Sequence, residues 1–105
     1  MSDEEIVTTM VQRIVDGFHP QRVILFGSRA RGTADAGSDV DLLVVMPQLD
    51  DRRETTIAMR RALGDLPISK DIVVTTPDEI ARRGDLVGSV LRPALREGKI
   101  LYEQP

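Results

Sequence analysis

The stretch GSRARGTADAGSDVD, residues 27–41, decides the fold. It opens on Gly27-Ser28, runs ten residues, and closes on Asp39-Val40-Asp41. Apolar runs enclose it, Val23-Ile24-Leu25-Phe26 before and Leu42-Leu43-Val44-Val45 after. Apolar residues at successive positions read as strands covered on both faces. A loop between two core strands thus presents a small hydroxyl residue and, where the second strand begins, two carboxylates. On a strand, residues two apart project from one face, with Cα atoms roughly 6.5–7 Å apart. Two bare carboxylates ~4 Å apart near a surface repel by about 4 kcal/mol at an effective dielectric near 20. Their position ahead of an apolar strand makes sense if a cation sits between them. All-oxygen ligands favour Mg2+ or Mn2+ over zinc.

The flanking elements follow from periodicity and punctuation. Ser2 and Glu5 form a capping-box pattern. Ile6, Met10 and Ile14, widened by Val7, Val11, Val15 and Phe18, make an apolar stripe, predicting a helix from Asp3 to Asp16 stopped by Gly17 and Pro20. Arg22–Phe26 and Val40–Met46 are the strands around the central loop. Ser28–Arg31 forms a single turn ended by Gly32, and Thr33–Ser38 is loop. Asp50–Leu63 is a charged helix with a thin stripe of Ile57, Ala58, Arg61 and Leu63. Lys70–Val74 is a third strand, and Thr76, Pro77 and Glu79 start a helix that reaches Arg83. Leu86–Arg96 reads as helix, with Pro93 in conflict, and Gly98 as its cap. Lys99–Tyr102 adds a short strand or packs as a tail. Strands alternating with helices predict an α/β or α+β domain, a small sheet covered by helices.

Asp71 opens the third strand as Asp39 and Asp41 open theirs. If those strands are neighbours, three carboxylates meet at one end of the sheet. Three such groups can hold two metal ions ~3.5–4 Å apart, the spacing used for in-line attack on phosphorus. Gly27 lets the backbone approach a phosphate, and Ser28 offers it a hydroxyl and an amide. Arg29 and Arg31 add positive charge within reach of a β- or γ-phosphate. Gly27, Ser28, Arg29, Arg31 and Ser38 are the nucleotide-binding candidates. Singly, each feature is commonplace: a turn, a solvated strand end, surface arginines, an Asp71 paired with Lys70 or Arg22. The fixed gap, the flanking strands and the later aspartate together favour chemistry.

At 105 residues with net charge −3, the chain fits one small domain, residues 1–105, with one core and one cleft. The acidic balance gives no electrostatic case for direct DNA binding. Without cysteine there is no disulfide frame or thiolate metal site. No apolar run approaches the ~20 residues that span a bilayer, and MSDEEIVTTM lacks a signal-peptide pattern. No membrane partner and a cytoplasmic location are expected. A chain this short lacks room for an acceptor-gripping domain, so the acceptor is expected from another polypeptide, a second copy, or a small molecule at an interface.

Gly27-Ser28, ten residues, Asp39-Val40-Asp41 resembles the signature of the DNA-polymerase-beta-like nucleotidyltransferases. GSRARGTADAGSDVDLLV, KDIVVTTPDEI around Asp71 and LREGKILYE near the end are similar to the minimal nucleotidyltransferases, the small stand-alone members. The resemblance implies the small nucleotidyltransferase fold with a mixed sheet. It implies that Asp39 and Asp41 bind two Mg2+ ions, that Asp71 completes the second site and helps deprotonate the acceptor, and that Gly27 and Ser28 hold the ATP triphosphate. It further implies an antitoxin that adds AMP to a tyrosine of a HEPN-domain toxin encoded beside it. Two rivals remain: stoichiometric neutralisation of the toxin without catalysis, and nucleotidyl transfer to a small molecule.

Elsewhere His19, the sole histidine, reads as an exposed turn residue, and Tyr102 as a packed tail residue rather than a self-modification site. The pairs Arg52-Arg53, Arg60-Arg61 and Arg82-Arg83 read as solvated helix faces rather than a docking face. Leu86, Val90, Leu91 and Leu95 are core or partner surface.

Overall fold

A computed structural model of the protein describes residues 2–33, 37–86, 88–89 and 91–105. The capping box forms: Ser2 accepts from the Glu5 amide and Glu5 reaches back to the Ser2 amide. The first helix, α1, spans Asp3–Phe18 and buries Ile6, Met10 and Ile14. It passes through Gly17, where sequence placed its end. A glycine costs a helix only about 1 kcal/mol, and Phe18 beyond it packs on the core. The stop comes at His19, exposed and left-handed at φ 53°, whose N–H closes on Val15 O.

β1 (Arg22–Phe26) leads into α2 (Ser28–Arg31), one turn ended by Gly32 at φ 75°. β2 (Val40–Val45), α3 (Arg52–Leu63), β3 (Lys70–Thr75), α4 (Pro77–Arg83), α5 (Leu91–Glu97) and β4 (Lys99–Glu103) follow. The sheet order is β3-β2-β1-β4, with β1 antiparallel to β2 and β4, and β2 parallel to β3. It is the mixed sheet expected. Residues 34–36 of the expected loop lie outside the described residues.

Strand alternation divides the core between two faces. Val23, Val40, Leu42, Val44, Ile72 and Val74 pack with α1 and α3, while Ile24, Phe26 and Leu43 pack with Leu91 and Ala94 of α5. On α3 the buried stripe is Met59 and Leu63, one turn apart; Ile57 and Ala58, expected inward, are exposed. The expected Leu86–Arg96 helix is shorter. Gly88 at φ 87° breaks the path, and Ser89 Oγ accepts from the Leu91 amide (3.1 Å) as α5 begins. Pro93 then falls in the first turn, where no intrahelical amide is needed. Leu86 is exposed, and Val90 lies outside the described residues.

α3, β3 and α4 are tied through one carboxylate. Fully buried Thr75 donates to Glu79 Oε1 (2.6 Å), and Arg52 donates to Glu79 Oε2 (2.8 Å). Burial pushes the Glu79 carboxyl up, but the hydrogen bonds from Thr75 and Arg52 and the charges of Arg52 and Arg83 outweigh it, leaving it below its usual value. A carboxyl depressed on folding stabilises above its unfolded pKa and loses that contribution as pH falls through its folded pKa. On acidification through and below the ordinary glutamate value of 4.5, the urea midpoint of the wild type should therefore fall more steeply than that of Glu79→Gln. Parallel curves would show that the tie contributes nothing.

Candidate active site

The register of the sheet places the acidic residues. Asp41 sits opposite Phe26 on one side and beside Asp71 on the other. Val40 and Leu42 face α1 and α3, so Asp41 between them faces the other side; the same alternation between Ile72 and Val73 puts Asp71 there too. Neighbouring strands lie ~4.8 Å apart, so the two aspartates are adjacent. Asp39, exposed, precedes β2 by one residue. Burial first, then the charges of Asp71 and Asp39, push the Asp41 carboxyl above its usual value, with Arg31 opposing. All three aspartates therefore share one field.

They do not close into a cage: among the described residues no three acidic or histidine side chains form a ready metal-binding group. Asp71 stands 3.5 Å from Arg60 Nη2. The donor set nonetheless fits a hard divalent cation, being all oxygen, negative, and electrostatically under-compensated at Asp41.

Gly27 links β1 to α2 at φ 77°, ψ −158°, a region essentially restricted to glycine. A Cβ there would also overlap Asp41 Oδ2. The backbone before Ser28 thus lies directly against the carboxylate. Ser28 begins α2, where the first hydrogen-bonded amides are those of Ala30 and Arg31, both on Gly27 O. The amides of Ser28 and Arg29 precede that first bond, as helix starts leave them.

The expected phosphate-binding residues separate. Arg31 is half-exposed, pairs loosely with Glu97 (3.6 Å), and acts on Asp41 through its charge. Arg29 is engaged elsewhere: Nε and Nη2 donate to Ser38 O (3.2 and 2.8 Å) and Nη1 to Asp3 (3.2 Å). It clasps the chain one residue before Asp39 and pins it to the start of α1. Sequence offered it as a phosphate ligand because the lengths of the loop and of α1 do not show that they meet. Ser38 supplies its carbonyl to that clasp. The sequence places Arg60 among the solvated arginines; only the packing of α3 beside β3 brings it to Asp71. The partner for Asp71 is thus Arg60, not Lys70 or Arg22.

A short mixed sheet with acidic strand starts beside a glycine turn gathers the candidate site at one end of the sheet. Residues 5–98 match the Nucleotidyltransferase domain family, and the chain belongs to it. Solved structures agree in fold. A protein of Sulfolobus solfataricus assigned to the nucleotidyltransferases is 19% identical, with TM-score 0.67, over 95% of this chain and 79% of that one. A chain of a toxin–antitoxin complex with AMP-PNP is 24% identical, TM-score 0.60, over 98% and 75%. A chain from the complex of a tri-AMPylated Shewanella oneidensis HEPN toxin with its MNT antitoxin is 18% identical, TM-score 0.56, over 98% and 74%. No curated protein matches the sequence.

Proposed function

We propose that this nucleotidyltransferase transfers AMP from ATP to a tyrosine hydroxyl of a HEPN-domain toxin, in the cytoplasm, and so acts as the antitoxin. The observation that carries the reading is Asp41 beside Asp71 on adjacent strands, with Asp39 at the strand start and Gly27 against Asp41. The toxin–antitoxin complexes of similar fold, one holding AMP-PNP and one an AMPylated toxin, support the choice of nucleotide and acceptor.

Asp39 and Asp41 would hold both Mg2+ ions, and Asp71 would complete the second site. Divalent ions there neutralise phosphate charge and ease deprotonation of the acceptor hydroxyl. Gly27 leaves room for the triphosphate, and Ser28 donates to it. Arg31 is available to the phosphates because its exposed pair with Glu97 holds it weakly. The acceptor oxygen forms a bond to the α-phosphorus as the bond to pyrophosphate breaks; the bonding electrons leave with pyrophosphate and the acceptor proton passes to Asp71.

Incubating the protein with ATP, Mg2+ and the toxin encoded beside it should raise the toxin's mass by whole AMP units. An unchanged mass would sink the proposal. Exposed Ile100 and Leu101 on β4 favour a second reading, neutralisation by binding alone. It requires Asp39→Asn to rescue toxin-arrested growth as well as the wild type does, and loss of rescue would dismiss it.

A further inference from the structure

We propose that Arg29 is a positioning residue for the metal site: its guanidinium, anchored on Asp3, holds the Ser38–Asp39 peptide so that Asp39 meets the divalent ion. This role rests on the Mg2+-dependent transfer reading above.

Asp39 stands one residue before β2, so no strand ladder holds it. Two anchors bracket it instead. On one side the Val40 amide donates to Ser69 O at 2.9 Å and ties the start of β2 to the start of β3. On the other, Arg29 Nε and Nη2 both donate to Ser38 O, at 3.2 and 2.8 Å. The Ser38 carbonyl belongs to the planar peptide unit that ends on Asp39 Cα. Holding that oxygen therefore sets the direction from which the chain enters Asp39.

The clasp joins two fixed parts of the fold. Arg29 lies on α2, and Gly27 at the head of α2 lies against Asp41. One short turn thus reaches both carboxylates of Asp39-Val40-Asp41, directly at Asp41 and through Ser38 at Asp39. At its other end, Arg29 Nη1 donates to Asp3 at 3.2 Å. Asp3 opens α1, which Ile6, Met10 and Ile14 fix in the core.

The Arg29 side chain is 14% exposed, against 49% for Arg31. Its Nε–Nη2 edge is occupied by Ser38 O, although such a fork could otherwise grip a phosphate with two parallel bonds. Arg29 therefore serves the loop, and contact with the phosphates falls to Arg31. A lysine would carry the same charge but donates from a single nitrogen, without the fork that spans Ser38 O and Asp3. Arg29→Lys thus tests geometry apart from charge.

Melting temperature followed against Mg2+ concentration, with neither nucleotide nor toxin present, reads metal affinity without any transfer. Arg29→Gln should need about 10–100-fold more Mg2+ for the same rise, the scale on which groups that orient a metal ligand act. Arg29→Lys should behave nearly as Arg29→Gln does. Asp3→Asn, at the exposed helix start, should shift the requirement in the same direction by less. The melting temperature of each variant without Mg2+ shows that it folds. In the transfer assay the variants should need correspondingly more Mg2+, and saturating Mg2+ should return their KM for ATP to the wild-type value.

A shifted Mg2+ requirement without AMP transfer by the wild type would uphold the clasp and overturn the transfer reading. An unchanged requirement in every variant that folds would overturn the clasp alone, as would full Mg2+ affinity in Arg29→Lys. A KM for ATP that stays raised at saturating Mg2+ would assign Arg29 to the phosphates and likewise overturn it. A wild type whose melting temperature Mg2+ does not move would overturn the metal site and the clasp together.

Discussion

Asp41→Asn should lose nucleotidyl transfer by about a hundredfold or more, the scale on which removing one electrostatic contact to a developing charge is felt, and should melt at a higher temperature than the wild type. Both effects come from the same placement. Asp41 is half-buried, beside Asp71 in register and one residue from the strand start that follows Asp39. Burial and those two charges push its carboxyl up, and Arg31 only partly compensates. A carboxyl raised on folding is one whose ionised form the native state disfavours. Its ionisation weakens the fold as pH rises through the unfolded and then the folded pKa, and the penalty is present in full at neutral pH. Asparagine keeps the shape and removes the charge. Partial exposure screens the repulsion, so the gain is small in size but definite in sign. Added Mg2+ should raise the melting temperature of the wild type, because a ligand that binds only the folded state stabilises it, and should raise that of Asp41→Asn much less. A fully active variant would remove Asp41 from the chemistry. A lower melting temperature than the wild type without Mg2+ would show that the carboxylates do not burden the fold.

What sequence could and could not say follows from the range of each signal. The face of Asp41 was readable because strand alternation is local; Asp39 falls one residue before β2, where that alternation no longer fixes its face. Asp71 needed one further step, the adjacency of β2 and β3, and its matching position at a strand start supplied the hint. The capping box of α1 and the starts of β1, β2 and β3 were legible for the same local reason, while β2 stops at Val45, one residue short of the expected Met46, and β3 runs one residue past Val74 to Thr75. Arg29 and Arg60 were not legible. Each is placed by a contact between elements distant in the chain, Arg29 with Asp3 and Arg60 with Asp71, and no periodicity encodes such a meeting. α3 misled because charged and small residues leave it few large apolar side chains from which to read a stripe. Ile57 was the obvious apolar residue, yet it is exposed, and Met59 joins the expected Leu63 in facing the sheet. Pro93 signalled a break correctly, but the helix adjusts by starting at Leu91, which brings the proline into its tolerant first turn.

Gly27→Ala should unfold more readily than any comparable one-methyl change on the exposed surface, and should disable the site as well. Two independent penalties act. The backbone at φ 77°, ψ −158° costs a residue with a Cβ about 1–3 kcal/mol. The new methyl also meets Asp41 Oδ2, and forcing atoms into occupied space costs a further ~1–3 kcal/mol. Only the second penalty depends on Asp41. A double-mutant cycle with Asp41→Ala, read from urea midpoints, therefore separates them. Truncating Asp41 should relieve the overlap and leave the backbone strain, so the double variant should be more stable than the sum of the single changes predicts. Strict additivity would mean that the carboxylate swings aside at no cost, and that Gly27 is required for its dihedral angles alone. A positive coupling would tie the glycine to the aspartate: the turn that admits a phosphate is then the same turn that leaves room for the carboxylate facing it, which is a physical reason for glycine and aspartate to occur together across a gap of fixed length.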